Sequence, residues 1–451
     1  MNQYEILKQC VEKYRETVYA AEQYLWQHPE VGYTERESNA YLKQQFVALG
    51  YTPIASDDIP GFYVDIDTGR PGPKVLVMCE LDALLCPTHP QAAPDTGAVH
   101  ACGHHAQCAA MLGIAGALRE KDALNDLSGS IRLIAVPAEE SNSEAEYLRL
   151  KEKGVVEYAS GKIEYLRRGM MDGVDMAFLV HGLIAEPNHF LIRAGSNGLI
   201  SKHVEFHGKA AHAGSCPFQG VNALYAANLA LSAINALRET FVDDDHIRVH
   251  PIITNGGASV NIIPDEVELS CCVRGIRDAA LMDANRKVNR AISASAAAIG
   301  ATVSIHDETM TMPLNNDRNL MHMAELAAEE VVGRENLLLY PAQHTASSTD
   351  MGDIASVLPS IQFYCSGAAG TSHGSDYRVA DVDSACMNSA KCQLILLHML
   401  LSDDAKEAKR IIAEKETRFQ SKEEMFDFYK NNLGEIEGVK ASDERHTVLC
   451  Y

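Results

Sequence analysis

Within six consecutive residues, His100-Ala101-Cys102-Gly103-His104-His105, the chain places one thiol and three imidazoles. Thiolate and imidazole are natural ligands of zinc and similar borderline divalent ions. The apolar, small-residue run 109–118 that follows suits a packed helix, and a helix N-terminus favours a thiolate. A second reading stays open at this point: a buried cysteine with loop histidines that merely pack, since free cysteine is among the most buried residue types. Glu139-Glu140 offers two carboxylates that can divide metal binding and proton transfer between them, although most such pairs are solvated acidic turns. Asp82, His181 and His373 are the remaining candidates.

The elements around these residues decide whether they meet. Apolar spacing over 3–26 predicts one amphipathic helix ending before Pro29, and a second helix over 35–49 is closed by Gly50. Strand-like runs follow at 62–66 and 75–79. The near-continuous apolar run 130–136 delivers Glu139-Glu140, and 176–180 delivers His181. Helices alternating with such strands indicate an α/β fold, a mixed and mainly parallel sheet with helices on both faces. Active groups in such sheets gather at the carboxyl ends of strands, where Asp82, Glu139, Glu140 and His181 fall.

Between 195 and 307 the pattern changes to strand, helix, strand, strand, helix, strand, the order of a ferredoxin-like α+β unit. The strands are 199–206, 248–253, 266–273 and 302–305, and the helices 221–237 and 279–299. The first domain is therefore expected over 1–194 and 308–401, with an inserted domain at 195–307. Its second part delivers Ser348-Thr349-Asp350 and, after a strand at 360–365, the loop Gly370-Thr371-Ser372-His373. The charged stretch 402–451 reads as a solvated extension, helical in part.

The chain has 451 residues, 39 basic and 61 acidic side chains and a formal charge of −22. That field opposes polyanions, so neither nucleic acid nor an anionic membrane is expected as a partner. No run is apolar enough for a membrane span and the start lacks the features of a signal peptide, which points to the cytoplasm. Twelve cysteines without CxxC pairs fit a reducing compartment. Cys271-Cys272 reads as strand packing, and His89, His105, His203, His207 and His344 as structural or peripheral. Neither Ser347-Ser348 nor Cys216 has the signature of a nucleophile.

Several motifs, in order, carry a resemblance. They are His28-Pro29-Glu30 with Glu35, Leu81-Asp82-Ala83-Leu84, His100-Ala101-Cys102-Gly103-His104, Pro137-Ala138-Glu139-Glu140 and His181-Gly182. Gly208-Lys209-Ala210-Ala211-His212-Ala213, Asn261-Ile262-Ile263-Pro264-Asp265 and Arg274 complete them. To about residue 400 the chain resembles the dinuclear-metal amidohydrolases and peptidases that include aminoacylases, auxin-conjugate hydrolases and aminobenzoyl-glutamate hydrolases. The run Ser347-Ser348-Thr349-Asp350-Met351-Gly352-Asp353 looks closest to the last of these.

The resemblance implies a zinc-peptidase-like sheet with an inserted lid and dimerisation domain. It implies two divalent ions per subunit, zinc or manganese ahead of cobalt or nickel, held by Cys102, His104, Glu140, His181 and His373. Glu139 would be the general base and Asp82 would steady a ligand. His212, Asn261 and Arg274 would bind a small substrate with a free carboxylate, His212 reaching across a homodimer. Many relatives carry Asp and then His where this chain has His105 and Gln107, which touches the surroundings of the ligands. The expected activity is hydrolysis of the amide bond of an N-acyl amino acid, aminobenzoyl-glutamate or a dipeptide-like molecule. Two alternatives are a catalytically silent paralogue that binds such a molecule or serves as an assembly subunit, and a thiol enzyme using Cys102, whose activity would survive chelation.

Overall fold

The computed structural model describes residues 2–140, 144–443 and 446–451. The chain forms two compact units, one of residues 1–195, 315–343 and 353–422, the other of 196–314, 344–352 and 423–451.

The amphipathic run at the start is two helices, α1 (Gln3–Glu12) and α2 (Arg15–Gln27), not one. Tyr14 leaves helical geometry between them, at φ −106° and ψ 13°. Its ring lies where a Cβ on Gly116 would come within 2.4 Å, so only glycine permits this approach. The helix α3 (Arg36–Ala48) follows. Strands β1 (Phe62–Asp67) and β2 (Lys74–Glu80) lead to helix α4 (His104–Ala117), in which every residue is buried. Its alanines and glycines explain that: with little side chain to place, it lets α1 and α2 pack closely against it. Strands β3 (Ser130–Val136), β4 (Met176–Ile184) and β5 (Phe190–Ser196) complete this part.

The second unit begins with β6 (Gly198–His207), α5 (Ala223–Ala236), β7 (Arg248–Asn255), β8 (Glu266–Gly275), α6 (Asp278–Ile299) and β9 (Thr302–Thr311). Its strands pair antiparallel in the order β7-β8-β6-β9, the ferredoxin-like arrangement expected for that element sequence. Buried and half-buried residues alternate along β6 and β8, so one face of the sheet packs on a core and the other stays open.

The chain returns to the first unit with α7 (Arg318–Val332), β10 (Ser360–Ala369) and the long helix α8 (Ser389–Ala413). The sheet there runs β1-β3-β2-β4-β10-β5. Strands β3, β2, β4 and β10 are parallel, with antiparallel neighbours at either side. Four adjacent carboxyl ends therefore point the same way, which brings the loops after them together.

The charged stretch after 401 is not a solvated extension. Ala405, Ala408, Ile411 and Phe419 are buried, because α8 keeps an apolar stripe among its charges. Helix α9 (Lys422–Asn432) buries Met425 and Tyr429. Strands β11 (Gly434–Asp443) and β12 (His446–Leu449) then extend the second unit's sheet beyond β9. No helix among the described residues is long and apolar enough to cross a membrane.

Candidate metal centre

At the carboxyl end of β2 the chain carries Glu80 into Leu81-Asp82, and at the end of β3 it carries Ala138 into Glu139-Glu140. Ala138 holds a left-handed backbone, φ 52°, unusual for a residue with a Cβ. Its N–H is fixed by Glu35 Oε1 at 2.8 Å, so a buried carboxylate sets the turn that aims the glutamate pair. His181 lies within β4, opposite Tyr364 of β10. His373 follows β10, also left-handed at φ 60°, and its N–H donates to the Ala101 carbonyl at 3.0 Å. Gly103 turns the chain at φ 88° between Cys102 and His104, where a Cβ would meet the Tyr377 hydroxyl at 2.4 Å. Ala138 and His373 are two of the non-glycine residues with left-handed backbone among those described, and each holds a turn beside a candidate ligand.

The five expected ligands converge. Potential ligand atoms of Cys102, His104 and His181 lie within 4.8 Å of one another, and so do those of Cys102, Glu140 and His373. A third group joins His104, Glu139 and Glu140. Cys102 is thus common to two sets.

Two of the three imidazoles, His104 and His181, are oriented from behind. His104 Nδ1 stands 2.9 Å from the Asp82 carbonyl and 3.2 Å from Asp82 Oδ1, which fixes a proton on Nδ1 and leaves Nε2 as the ring atom that could bind a metal. His181 Nδ1 pairs with the Gly182 carbonyl at 3.0 Å, and its Nε2 lies 3.4 Å from Cys102 Sγ. Asp82 Oδ2 accepts the Glu140 N–H at 2.8 Å, so one carboxylate steadies two candidate ligands.

The donor set fits divalent cations. His104 Nε2 and Glu140 Oε1 are buried without a hydrogen bond. Burial pushes the Glu140 carboxyl above its ordinary value, and the Cys102 thiol well above its own. With no metal bound, desolvation outweighs the helix end, since α4 starts at His104, beyond Cys102. Burial lowers His181, whereas His104 is raised despite burial by Glu80 and Cys102. Desolvated thiol, imidazole and carboxylate without enough countercharge are what a bound cation stabilises.

A buried set unmarked by sequence reasoning backs this centre. Glu80 Oε2 lies 3.1 Å from His104 Nε2, and Glu80 accepts from Lys162 Nζ at 2.5 Å and Gln107 Nε2 at 2.7 Å. Burial works against its charge, yet Lys162 and the nearby imidazoles hold the Glu80 carboxyl well below the usual range. The only sequence signal was its position two residues before Asp82. Of the departures from relatives, Gln107 joins Glu80, while His105 packs on Trp26 with Nε2 3.3 Å from Glu22.

His212, Asn261 and Arg274 belong to the second unit. His212 Nδ1 accepts from the N–H groups of Gly214 and Ser215, both at 3.1 Å, which places its proton on Nε2. The Asn261 carbonyl accepts from Ala213 N–H at 2.9 Å, so these two candidates sit on adjoining segments. Arg274 is the next-to-last residue of β8, opposite Arg248 and Leu199, with Nη1 3.4 Å from Ser348 Oγ.

Comparison with known proteins gives the same picture. The family model described as Peptidase family M20/M25/M40 matches residues 61–397. The chain is 27% identical over 381 residues to the Xaa-Arg dipeptidase of Homo sapiens, covering 79% of this chain and 78% of that one. It is 26% identical over 320 residues to the N-acetyl-L-cysteine deacetylase of Bacillus subtilis (strain 168), covering 68% and 71%. Among solved structures, the Bacillus subtilis YXEP protein, described as a dinuclear metal binding peptidase from the M20 family, superposes with a TM-score of 0.66 at 20% identity, over 86% of this chain and 99% of that one. The chain belongs to Peptidase family M20/M25/M40 and is a hydrolase of amide bonds.

Proposed function

We propose that the protein binds two divalent ions, zinc or manganese ahead of cobalt or nickel, and hydrolyses the amide bond of an N-acyl amino acid, aminobenzoyl-glutamate or a dipeptide-like substrate with a free carboxylate. The observation that carries this reading is that Cys102 belongs to two candidate ligand groups at once, with Glu139 beside them. Cys102, His104 and His181 would hold one ion, and Cys102, Glu140 and His373 the other. Bound there, divalent ions polarise an amide carbonyl and acidify a water. Glu139 takes the proton of the attacking water on its carboxylate and returns it to the departing amine nitrogen. Asp82 keeps His104 and Glu140 in place throughout.

The assembly proposed is a homodimer through the second unit. Strand β7 is the edge of its sheet, and Tyr225, Leu229 and Ile252 are exposed apolar residues on α5 and β7. A two-fold dimer is the commonest way to cover such an edge. In this reading His212 serves the neighbouring site, and Asn261 and Arg274 bind substrate. Mixed chains of His212→Ala and Glu139→Gln, each inactive alone, should regain activity; heterodimers that form and stay inactive exclude the exchange. Twelve free cysteines support a reducing compartment, the cytoplasm.

The test is a screen of N-acyl amino acids, aminobenzoyl-glutamate and dipeptides on protein stripped of metal and then reconstituted. Turnover should disappear on stripping and return with zinc, manganese or cobalt, and metal analysis should find two ions per chain. Full turnover in metal-free protein would overturn the reading.

A further inference from the structure

We propose that the open face of the second unit's sheet carries a divalent-cation site of its own, formed by His203, Glu205, His306 and Glu435. This goes beyond the amide hydrolysis proposed above and uses none of its residues. His203 of β6 and His306 of β9 are directly opposite in register, and Glu435 of β11 is opposite His306 on its other side. Opposed residues of antiparallel strands share a face, with Cβ atoms about 4.5–5.5 Å apart. The row therefore runs imidazole, imidazole, carboxylate across three strands. Glu205, two residues along from His203, joins it on the same face.

The distances suit an ion better than hydrogen bonds. Glu205 Oε1 lies 3.7 Å from His203 Nε2, and Glu205 Oε2 lies 3.5 Å from His306 Nε2. Hydrogen bonds between such atoms span about 2.7–3.2 Å. Ligand atoms about 2.0–2.2 Å from a tetrahedral zinc stand about 3.3–3.6 Å from one another. The carboxylate lies between the two rings, whose centroids are 6.3 Å apart, and an ion would bind once these half-exposed side chains rotate to bring three ligand atoms together. His207, on the same face, behaves differently: its Nδ1 is 2.6 Å from Glu266 Oε2, an ordinary hydrogen-bonded pair.

Charge favours a cation here. Glu205 directly faces Glu268 of β8, and like charges opposed across strands are destabilising. With Glu435 that makes three carboxylates beside two imidazoles. Two nitrogens and two oxygens suit zinc, nickel or copper.

Zinc(II) is the probe. Holoenzyme dialysed against metal-free buffer is titrated by equilibrium dialysis with metal analysis. Wild type should take up one more ion per chain than His203→Ala/His306→Ala, and His207→Ala should match wild type. Either single variant should weaken uptake of that ion by at least the ~10- to 100-fold that even an outer partner of a metal ligand carries. Amide turnover should be equal in all of them before zinc is added. With copper(II) in place of zinc, electron paramagnetic resonance should give nitrogen coupling in wild type that the double variant lacks. His203→Gln/His306→Gln, which keeps a polar face, covers the case in which the alanine pair fails to fold. Equal uptake at equal affinity by wild type and the double variant overturns the site, as does an equal loss in His207→Ala.

Discussion

Glu80 and Lys162 form an ion pair of 2.5 Å in which neither side chain has any exposure. Its carboxylate also faces the metal-binding side of His104, with Nε2 3.1 Å away. Removing one member of a buried pair leaves an uncompensated charge, which costs about 3–5 kcal/mol. Lys162→Met should therefore lower the urea midpoint sharply, and Glu80→Gln/Lys162→Met should recover most of the loss, since an amide needs no countercharge. Unfolding curves of the two single variants and the double variant measure this coupling. Equal destabilisation by Lys162→Met in the wild-type and Glu80→Gln backgrounds would show that the pair contributes nothing.

The glutamate pair should separate by function. Glu139→Gln should remove turnover by about 10²- to 10⁴-fold, the range for a general base, while retaining metal. Glu140→Gln should lose metal as well, because Glu140 shares a candidate ligand group with Cys102 and His373. Metal analysis beside kinetics decides it; metal lost from Glu139→Gln and kept in Glu140→Gln would mean the roles are exchanged.

Glu35 gives a pH dependence of known sign. Burial and then the Asp82 carboxylate push its carboxyl well above the ordinary value. The folded state thus keeps a proton that the unfolded chain releases near pH 4.3, so this group's stabilisation is full below about pH 4.3 and is lost as pH rises toward the raised value. Glu35→Gln keeps an oxygen for the Ala138 N–H and removes the ionisation. Its unfolding free energy should fall less between pH 5 and pH 8 than that of wild type, a span of ordinary laboratory buffers chosen about the usual carboxylate range. Parallel profiles for the two proteins would remove Glu35 from the account.

Which of these relations the sequence displayed follows from how local they are. The strand-end positions of Asp82, Glu139 and Glu140 were legible because buried parallel strands are continuous apolar runs with abrupt polar ends, whereas His181, expected just past its strand, lies within β4, which runs on to Ile184. The spacing of Cys102 and His104 left metal binding and plain packing both open, and the resemblance pointed to the first. Glu80 and Lys162, separated by 82 positions, were not, since nothing local marks a lysine that will be buried opposite a carboxylate. The break at Tyr14 was hidden for the same reason: it depends on Gly116, a hundred residues on by order of magnitude, and the apolar spacing continues through it. Charge density misread the stretch after 401, because a helix can bury one stripe while carrying many charges on its other side. Sequence shows the helix beside Cys102 but not the burial that pushes its thiol up.

Recognition of a substrate carboxylate by Arg274 is the last prediction. The chain carries a net −22, so an anionic substrate is repelled at long range unless a local donor overcomes that field. Arg274 faces Arg248 directly across β8 and β7, and like charges so placed are destabilising unless an anion lies between or beside them. It forms no ion pair among the described residues; its one hydrogen bond there is the 3.4 Å contact with Ser348 Oγ. Its fork remains available to a carboxylate, which guanidinium holds through two parallel bonds that lysine cannot reproduce. Loss of a charge-assisted pair costs about 2–3 kcal/mol, roughly 30- to 150-fold in kcat/KM. Arg274→Ala should show that loss on an acid substrate and little on its amide, while Arg274→Lys should recover only part. If wild type cleaves the acid and its amide equally well, or Arg274→Ala retains the preference for the acid, the carboxylate is read by another group.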